Sequence, residues 1–161
     1  MNINRQAFRT TIAFSEGTST HKLTKNDGYD VIVTGLDMKL EVFTDYSAHP
    51  FANGRPAKVF NKKGDKSTAS GRYQHLWRWW KLYAVQLNLK DFSPASQDAV
   101  AMQQIKEQGA LGDIDAGRIE IAIYKCRKIW ASFPGANYKQ HENSLEKLLK
   151  VFVDAGGILS E

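Results

Sequence analysis

Hydrophobic positions recur with helical spacing near the N-terminus of the chain. On a period of 3.6 residues, one arc of this segment is continuous, and Glu16 lies at its margin one turn after Ile12. The arc consists of Ala7, Phe8, Thr11, Ile12, Phe14 and Ser15. Gly17 is the expected stop of the helix, because glycine readily adopts the left-handed conformation that ends helices. The pattern predicts a short amphipathic helix that ends at a carboxylate placed between core and solvent.

Two β-branched segments, residues 29–34 and 40–43, come after a polar loop. Gly35-Leu36-Asp37 separates them, so an antiparallel hairpin is predicted. The sequence beyond the hairpin is rich in glycine, lysine and proline and has no sustained apolar period. Residues 29–66 are therefore predicted to form a small, loop-rich β lobe.

Helical spacing dominates the second half of the chain. One helical face is formed by Leu76, Trp80, Tyr83 and Leu87. The aromatic cluster of residues 77–81 is therefore predicted to lie on an amphipathic helix, with most of its aromatic side chains in the core. The string Gly71-Arg72-Tyr73-Gln74 is expected to open this helix.

Start and stop signals bound further helices. Ser93-Pro94, an N-cap followed by proline in the first turn, predicts a helix that runs to about Gln108 and stops at Gly109. Two later runs have helical spacing, and the second is expected to end at Gly156-Gly157. The first run contains Ile119, Ala122, Ile123, Cys126 and Trp130, and the second contains Leu145, Leu148, Leu149 and Phe152. The whole pattern predicts an α+β fold, mainly helical, with the β lobe inserted after the first helix.

Length and composition narrow the class of protein. A chain of 161 residues is long enough for one domain that buries roughly two-thirds of its unfolded surface, so a single domain over residues 1–161 is expected. The chain is 42% hydrophobic and 24% charged, as soluble globular proteins are. It has no apolar run of the roughly 20 residues that a membrane span needs, and its N-terminus lacks the apolar core of a secretory signal. Cys126 is the single cysteine, which excludes an internal disulfide and a cysteine-based zinc site.

The charge of the chain indicates a class of partner. Lys and Arg outnumber Asp and Glu by 22 to 17, which gives a net charge of +5 and a pI near 9.3. Such a balance favours polyanionic partners, namely nucleic acid, anionic lipid surfaces or cell-wall polymer. The sign of the charge does not distinguish among these three.

Glu16 is the candidate catalytic residue. Partial burial beside Phe14 and Ile12 disfavours its charged form, and so does the negative end of the helix dipole. A glutamate that stays protonated near neutral pH meets the requirement of a general acid, which must hold a proton to give to a leaving oxygen. The local pattern also fits a solvated glutamate at a helix end.

Several strings occur in one order along nearly the whole chain. They are Ala13-Phe14-Ser15-Glu16-Gly17-Thr18, Gly28-Tyr29-Asp30-Val31-Ile32-Val33, Phe43-Thr44-Asp45-Tyr46-Ser47, Ser70-Gly71-Arg72-Tyr73-Gln74, Phe92-Ser93-Pro94, Gln97-Asp98-Ala99-Val100-Ala101 and Ile129-Trp130-Ala131-Ser132. Together they resemble the lambda-phage type of endolysin, within the lysozyme superfamily. The resemblance implies a lysozyme-like fold. Residues 36–40 and 51–63 depart from it, since they are longer and more basic than the family's pattern.

The activity that the resemblance implies is that of a lytic transglycosylase of bacterial peptidoglycan. Such enzymes cleave the β-1,4 bond between N-acetylmuramic acid and N-acetylglucosamine without water, because the 6-hydroxyl of the muramic acid attacks its own anomeric carbon. Glu16 matches the family's catalytic glutamate, which serves first as acid and then as base. The resemblance implies no cofactor and no metal.

The resemblance also implies residues that bind the substrate. Gln74 lies where related enzymes hydrogen-bond an acetamido group, and Tyr138 resembles the family's cleft tyrosine. Six further residues are candidates for substrate contact, with a structural role as an equal alternative for the first four: Ser15, Asp30, Asp45, Tyr46, Arg72 and Tyr73.

Three other functions stay open at this point. A hydrolytic lysozyme would use Glu16 as acid with Asp30 or Asp45 as base or nucleophile. A zinc-dependent wall peptidase would need clustered histidines, but His21, His49, His75 and His141 show neither a close pair nor the usual spacing. A basic nucleic-acid-binding module would be built on residues 58–66 and 77–81, without a recognised binding motif.

The resemblance further implies partners and a place of action. The expected substrate is the glycan strand of peptidoglycan, nucleic acid is not an expected partner, and a monomer is expected. The chain is expected in the host cytoplasm until a holin opens the membrane, after which it acts on the cell wall in the periplasm.

Overall fold

A computed structural model describes residues 2–137 and 141–161, and the chain divides into two compact units. The terminal unit consists of the chain up to Gly17 together with Ala101–Glu161, and the central unit is Thr18–Val100. The expectation that residues 1–161 form one domain stays a prediction. No helix among the described residues has the length and apolar character of a membrane span.

Six helices and four short strands are found in the described residues. In chain order they are α1 (Ile3–Ser15), β1 (Val31–Ile32), β2 (Glu41–Val42), β3 (Lys58–Val59), β4 (Lys66–Ser67), α2 (Trp77–Gln86), α3 (Pro94–Glu107), α4 (Leu111–Asp115), α5 (Ile119–Cys126) and α6 (Leu145–Asp154).

In the terminal unit, α1 packs against α6 and α4. Asn2 caps the start of α1 by accepting the backbone N–H of Arg5, and Ser144 caps α6 in the same way by accepting that of Lys147. The apolar arc predicted from the sequence is the buried face of α1, although Phe14 is only half-buried. The rings of Phe8 and Phe133 meet edge to face, with centroids 6.1 Å apart.

The central unit contains the predicted hairpin. β1 and β2 are antiparallel, with Val31 opposite Val42, but each strand has only two residues. A second antiparallel hairpin, β3 with β4, pairs Lys58 with Ser67. It was not predicted, because two-residue strands are too short to show an alternating pattern. The core of this unit contains a hydrophobic cluster centred on Trp80, Phe92 and Val100.

The predicted helices of the second half are present, but several details differ from the prediction. The string Gly71-Arg72-Tyr73-Gln74 does not open α2 but forms a turn before it, in which Gln74 has a left-handed φ of +53°. Trp130 lies beyond the end of α5, and the five-residue helix α4 was not predicted. Most aromatic side chains of α2 lie in the core, as predicted, since Trp80 is buried and Trp77 and Tyr83 pack against its cluster. Trp79 is the exception and is 50% exposed.

Candidate active site

Glu16 lies directly after the last turn of α1. Its backbone N–H donates to the carbonyl of Ile12 at 2.9 Å, and that of Gly17 donates to the carbonyl of Phe14 at 3.0 Å. Gly17 has a φ of +73°, which confirms it as the helix stop. A Cβ added at Gly17 would meet no atom within 4 Å, so the glycine is needed for its conformation and not for lack of space.

A chain of hydrogen bonds within the terminal unit holds the Glu16 carboxyl group. Ser132 Oγ lies 2.6 Å from Glu16 Oε1, and Ser15 Oγ lies 2.8 Å from Ser132 Oγ. The Asn143 side chain donates from Nδ2 to the backbone carbonyl of Ser15 at 3.1 Å and to Ser15 Oγ at 3.2 Å. The backbone N–H of Asn143 also donates to the carbonyl of Ser132 at 2.9 Å. Residues far apart in the sequence therefore fix one carboxyl oxygen.

The direction of this chain follows from the chemistry of its members. A backbone carbonyl only accepts, so the Asn143 atom facing Ser15 is the amide nitrogen. Ser15 Oγ accepts from that nitrogen and has one proton, which goes to Ser132 Oγ; the single proton of Ser132 then goes to Glu16 Oε1. Since Oε1 accepts a hydrogen bond, the proton of a neutral Glu16 lies on Oε2. Oε2 is therefore the oxygen that can donate a proton in acid catalysis, and Oε1 is the oxygen that Ser132 holds.

The environment of Glu16 gives it a raised proton affinity. Burial raises the pKa of this carboxyl group to about 7, against the smaller effect of the Ser132 hydrogen bond, which lowers it. Glu16 forms no ion pair with any of the described residues, and the hydroxyl group of Ser132 is a neutral donor. The protonated form is therefore substantially populated at neutral pH, as a general acid requires.

The segment that carries Ser132 is closed by Glu142. Its carboxylate accepts the backbone N–H of Asn137 at 2.9 Å and that of Gly135 at 3.1 Å. These hydrogen bonds lower the pKa of Glu142, so it stays ionised. Tyr138, the predicted cleft tyrosine, lies outside the described residues.

Asp30 is a buried residue of the central unit. One of its carboxylate oxygens accepts from the hydroxyl of Thr24, and the other accepts the backbone N–H of Lys25 at 2.8 Å. The Thr24 hydroxyl in turn accepts the backbone N–H of Gly28 at 2.8 Å. Asp30 therefore organises the loop before β1.

Asp45 and Tyr46 lie in the loop after β2. Asp45 is exposed and accepts the backbone N–H of Ser47 at 2.9 Å, and contacts with Ser47 lower the pKa of its carboxyl group. The Tyr46 hydroxyl accepts from Asn26 Nδ2 at 2.8 Å, and its ring packs on Phe43 with centroids 5.0 Å apart. Both residues have side chains at the surface of the central unit.

Arg72 is buried, and its side chain is held by an ion pair and by an aromatic ring. Its guanidinium group is 2.6 Å from a carboxylate oxygen of Asp27 and lies over the ring of Tyr29, 5.1 Å from the centroid. Its backbone N–H donates to Gln97 Oε1 at 2.9 Å. A Cβ added at the preceding Gly71 would come within 2.2 Å of that same oxygen, so only glycine allows this approach.

Tyr73 and Gln74 complete the turn before α2. The hydroxyl groups of Tyr73 and Tyr29 both donate to Asp98 Oδ1, at 2.6 and 2.7 Å, and burial raises the pKa of Tyr73. Gln74 is half-buried, and its side-chain amide donates to the carbonyl of Gly71 at 3.0 Å. Tyr73 is therefore part of the interior, whereas Gln74 is at the edge of the turn.

Two of the four histidines are buried in the core of the central unit. His49 Nε2 is 2.9 Å from the carbonyl of His75, and His75 Nε2 is 3.2 Å from the carbonyl of Gln97. Burial lowers the pKa of His49 to about 4 and that of His75 to about 3, so both rings are neutral. The described residues contain no group of three His, Cys, Asp or Glu side chains that could hold a metal ion.

The site residues predicted from the sequence therefore fall into separate groups. The structure brings Ser15 and Glu16 together in the terminal unit and groups the other described candidates in the central unit. No functional role was predicted from the sequence for Ser132, Asn143 or Asp98. Ser132 and Asp98 stand within strings that carry the resemblance, which is the signal that could have indicated them, while Asn143 has no local signal.

The chain is similar over nearly its whole length to known phage endolysins. The family model described as Endolysin matches residues 6–159. The endolysin of Escherichia phage P2 is 66% identical over 155 residues, covering 96% of this chain and 94% of that relative. The endolysin of Escherichia phage lambda is 53% identical over 162 residues, covering 100% of this chain and 96% of the relative.

Solved structures confirm the lysozyme-like α+β fold. Bacteriophage lambda lysozyme in complex with a chitohexasaccharide has a TM-score of 0.89 and 53% identity, covering 99% of this chain and 97% of that one. A second structure of lysozyme from bacteriophage lambda has a TM-score of 0.85 and 51% identity, with the same coverage. The chain therefore belongs to the endolysin family, the phage enzymes of the lambda type that degrade the bacterial cell wall.

Proposed function

We propose that this endolysin is a lytic transglycosylase that uses Glu16 as its single catalytic acid and base. The observation that carries the proposal is the state of Glu16: a carboxyl group with a pKa of about 7, one oxygen held by Ser132 and the other left to hold the proton. A glycosidase that employs water needs a second carboxyl group at a defined separation. An attacking hydroxyl that belongs to the bound substrate removes this need, because binding supplies its orientation.

The two carboxylates that a hydrolase would use are engaged in other contacts. Both oxygens of Asp30 accept hydrogen bonds, from Thr24 and from the backbone of Lys25. Asp45 is exposed and closes a turn through Ser47. These contacts support structural roles for Asp30 and Asp45 and leave Glu16 as the acid of the proposed reaction.

The proposed reaction has two steps. Glu16 Oε2 gives its proton to the glycosidic oxygen between the two sugars, and the bond from that oxygen to the muramic acid C1 breaks. The Glu16 carboxylate then takes the proton of the muramic acid 6-hydroxyl while O6 bonds to C1. The products are a 4-hydroxyl on one fragment and a 1,6-anhydro ring on the other. Glu16 regains its proton, and no water is consumed.

The other predicted site residues divide by their contacts. Ser15 acts through Ser132 and is proposed as a positioning residue, while Arg72 and Tyr73 are proposed to support the turn that presents Gln74. Tyr46, Gln74 and Tyr138 are proposed to contact the glycan strand. The chitohexasaccharide bound to the lambda lysozyme supports a glycan strand as the substrate.

Release and assembly are also part of the proposal. The likeness to phage endolysins is the basis for proposing that a separate holin gives the chain access to the wall. We propose that it waits in the host cytoplasm, acts in the periplasm as a monomer, and needs no cofactor or nucleic acid.

The test is an analysis of the products. Purified peptidoglycan is digested in water enriched in heavy oxygen, and the fragments are identified by mass spectrometry. We expect 1,6-anhydro-muramic acid ends without label, and no product with the Glu16→Gln variant. Labelled reducing ends would instead assign a hydrolase that uses Glu16 with Asp30 or Asp45.

A further inference from the structure

The solvent-facing side of α2 has an unusual composition for a helix of a soluble enzyme. Trp79, Leu82 and Val85 are 50%, 56% and 83% exposed, and at a spacing of three residues they lie along one side of the helix. The remaining exposed residues of α2 are Arg78, Lys81 and Gln86. Three large apolar side chains are thus exposed next to two cations on a helix that contains no acidic residue.

The two cations of this face are available to a partner. Neither Arg78 nor Lys81 forms an ion pair with any of the described residues, and the Arg78 guanidinium lies over the Trp79 ring, 5.4 Å from its centroid. Surface cations of a soluble domain are often near acidic side chains, as Lys150 is near Asp154 at 2.6 Å on α6. The α2 face lacks such neighbours on its own helix, and its charge is uncompensated there.

The charge of the whole central unit has the same sign. Thr18–Val100 contains twelve Lys and Arg residues and eight Asp and Glu residues, so this unit has +4 of the net charge of +5. A long-range attraction to an anionic surface would therefore act mainly on the unit that carries α2.

We propose that the exposed face of α2 docks the protein on an anionic phospholipid bilayer. A helix that lies in the plane of a membrane presents large apolar residues to the acyl boundary, with basic residues at the level of the headgroups. Tryptophan and arginine are favoured at this boundary, since each combines an apolar body with a polar or charged tip. On α2 the apolar residues are Trp79, Leu82 and Val85, and the headgroup contacts are those of Arg78 and Lys81.

Another exposed apolar patch of the same unit fits a bilayer less well. Leu36 and Met38 are 49% and 76% exposed. Asp37 lies between them, and Lys58, which lines the same depression as Leu36, is 3.4 Å from Glu41. An acidic residue within the patch opposes approach to anionic lipid, which is why α2 is the proposed surface.

The experiment is co-sedimentation of the full chain with vesicles of phosphatidylglycerol and phosphatidylcholine in equal parts, compared with phosphatidylcholine alone. We expect binding to the anionic vesicles that falls as salt is raised. Trp79→Ser with Leu82→Ser should weaken this binding at least about tenfold, because two apolar anchors are lost. Arg78→Gln with Lys81→Gln should weaken it by about tenfold and reduce its salt dependence.

A matched control is available on α5. Ile121 and Tyr124 are 44% and 60% exposed, but Glu120 is beside them. Ile121→Ser with Tyr124→Ser should leave vesicle binding unchanged. Thermal unfolding and the rate of digestion of purified peptidoglycan should stay at the wild-type level in all three double variants, which separates docking from folding and catalysis.

Three results would overturn the proposal. The first is equal binding to both kinds of vesicle. The second is binding that survives both α2 double variants but is lost in Leu36→Ser with Met38→Ser. The third is self-association of the wild-type chain in sedimentation velocity that the Trp79→Ser and Leu82→Ser changes abolish while vesicle binding persists, since α2 would then be an interface between copies.

Discussion

Two carboxylates of the terminal unit, Glu16 and Asp113, are held in opposite ways. Asp113 is buried between two cations: Lys125 Nζ is 2.6 Å from Oδ2, and Arg118 Nε is 2.9 Å from Oδ1. These hydrogen bonds lower the pKa of Asp113 and keep it ionised. Glu16 is half-buried and receives one hydrogen bond, from the neutral hydroxyl of Ser132, and its pKa is raised to about 7.

The comparison shows what makes one of two acidic residues an acid catalyst. Burial raises the proton affinity of a carboxyl group only where cationic partners do not offset it, because such partners stabilise the charged form. What distinguishes Glu16 is desolvation together with a donor that is neutral and holds only one oxygen. Asp113 joins elements of the unit, whereas Glu16 keeps a proton available.

The largest expected effect concerns Glu16 itself. Glu16→Gln keeps the shape of the side chain and removes the transferable proton, so the rate of peptidoglycan digestion should fall about a thousandfold. Turbidity loss of a suspension of purified walls measures this rate. The matched control is Glu120→Gln, an exposed glutamate of α5, which should digest walls at the wild-type rate. Retention of even a tenth of the activity by Glu16→Gln would remove Glu16 from the catalytic role.

The second prediction contrasts the stability of two isosteric variants. The folded-state pKa of Glu16 is raised, so the folded protein binds the proton more tightly than the unfolded chain, and the ionised carboxyl group destabilises the fold above pH 4.5. Glu16→Gln should therefore raise the free energy of unfolding at pH 8 by roughly 2 to 3 kcal/mol, with little change at pH 4.

Asp113→Asn should act in the opposite direction. A lowered pKa stabilises the fold above the pKa of the unfolded chain, and this contribution is lost as the pH falls. The variant should therefore be less stable than wild type at pH 7, with a difference that shrinks toward pH 3. Urea unfolding at a series of pH values measures both variants. If the stability difference from wild type changed with pH in the same direction for both variants, the two carboxyl groups would not have oppositely shifted pKa values.

The contrast between the two carboxylates also marks how far the sequence could predict the site. The end of α1 at Gly17 and the position of Glu16 depend on local spacing, and the sequence predicted both. The partners of Glu16 are 116 and more residues away, and no local pattern encodes such contacts. Ser132 and Asn143 were therefore found only in the structure.

The same reasoning explains the successes and errors in the fold. Ser93 was predicted as a helix start, and its hydroxyl accepts the backbone N–H of Ser96 at 3.3 Å, which is a local contact. Periodicity placed Trp80 in the core, but residues one position apart on a helix point about 100° apart, so Trp79 is on the outside. The left-handed conformation of Gln74 has no signal in residue type, because it is uncommon for residues other than glycine.

The third prediction is the pH dependence of the reaction. Because the acid form of Glu16 must be present at the start of each cycle, kcat/KM should decline above a pKa of about 7 and fall about tenfold for each further pH unit. Initial rates on soluble glycan fragments from pH 5 to pH 9 measure this limb. A limb near pH 4.5, the ordinary range of glutamate, would mean that burial does not act on Glu16 as the structure indicates.

The smallest expected effect is that of the hydroxyl group of Ser132. Its hydrogen bond stabilises the charged form of Glu16, so Ser132→Ala should raise the pKa and move the alkaline limb upward by about half to one pH unit. Ser132→Thr keeps a hydroxyl group and should restore the wild-type limb, whereas Ser144→Ala, which removes the α6 cap, should lower stability without moving the limb. A limb that moves downward in Ser132→Ala would show that Ser132 favours the protonated form. The hydrogen-bond direction would then be reversed, with Glu16 donating through Oε1 to Ser132, and the oxygen available to the substrate would be the carbonyl oxygen, which has no proton to donate.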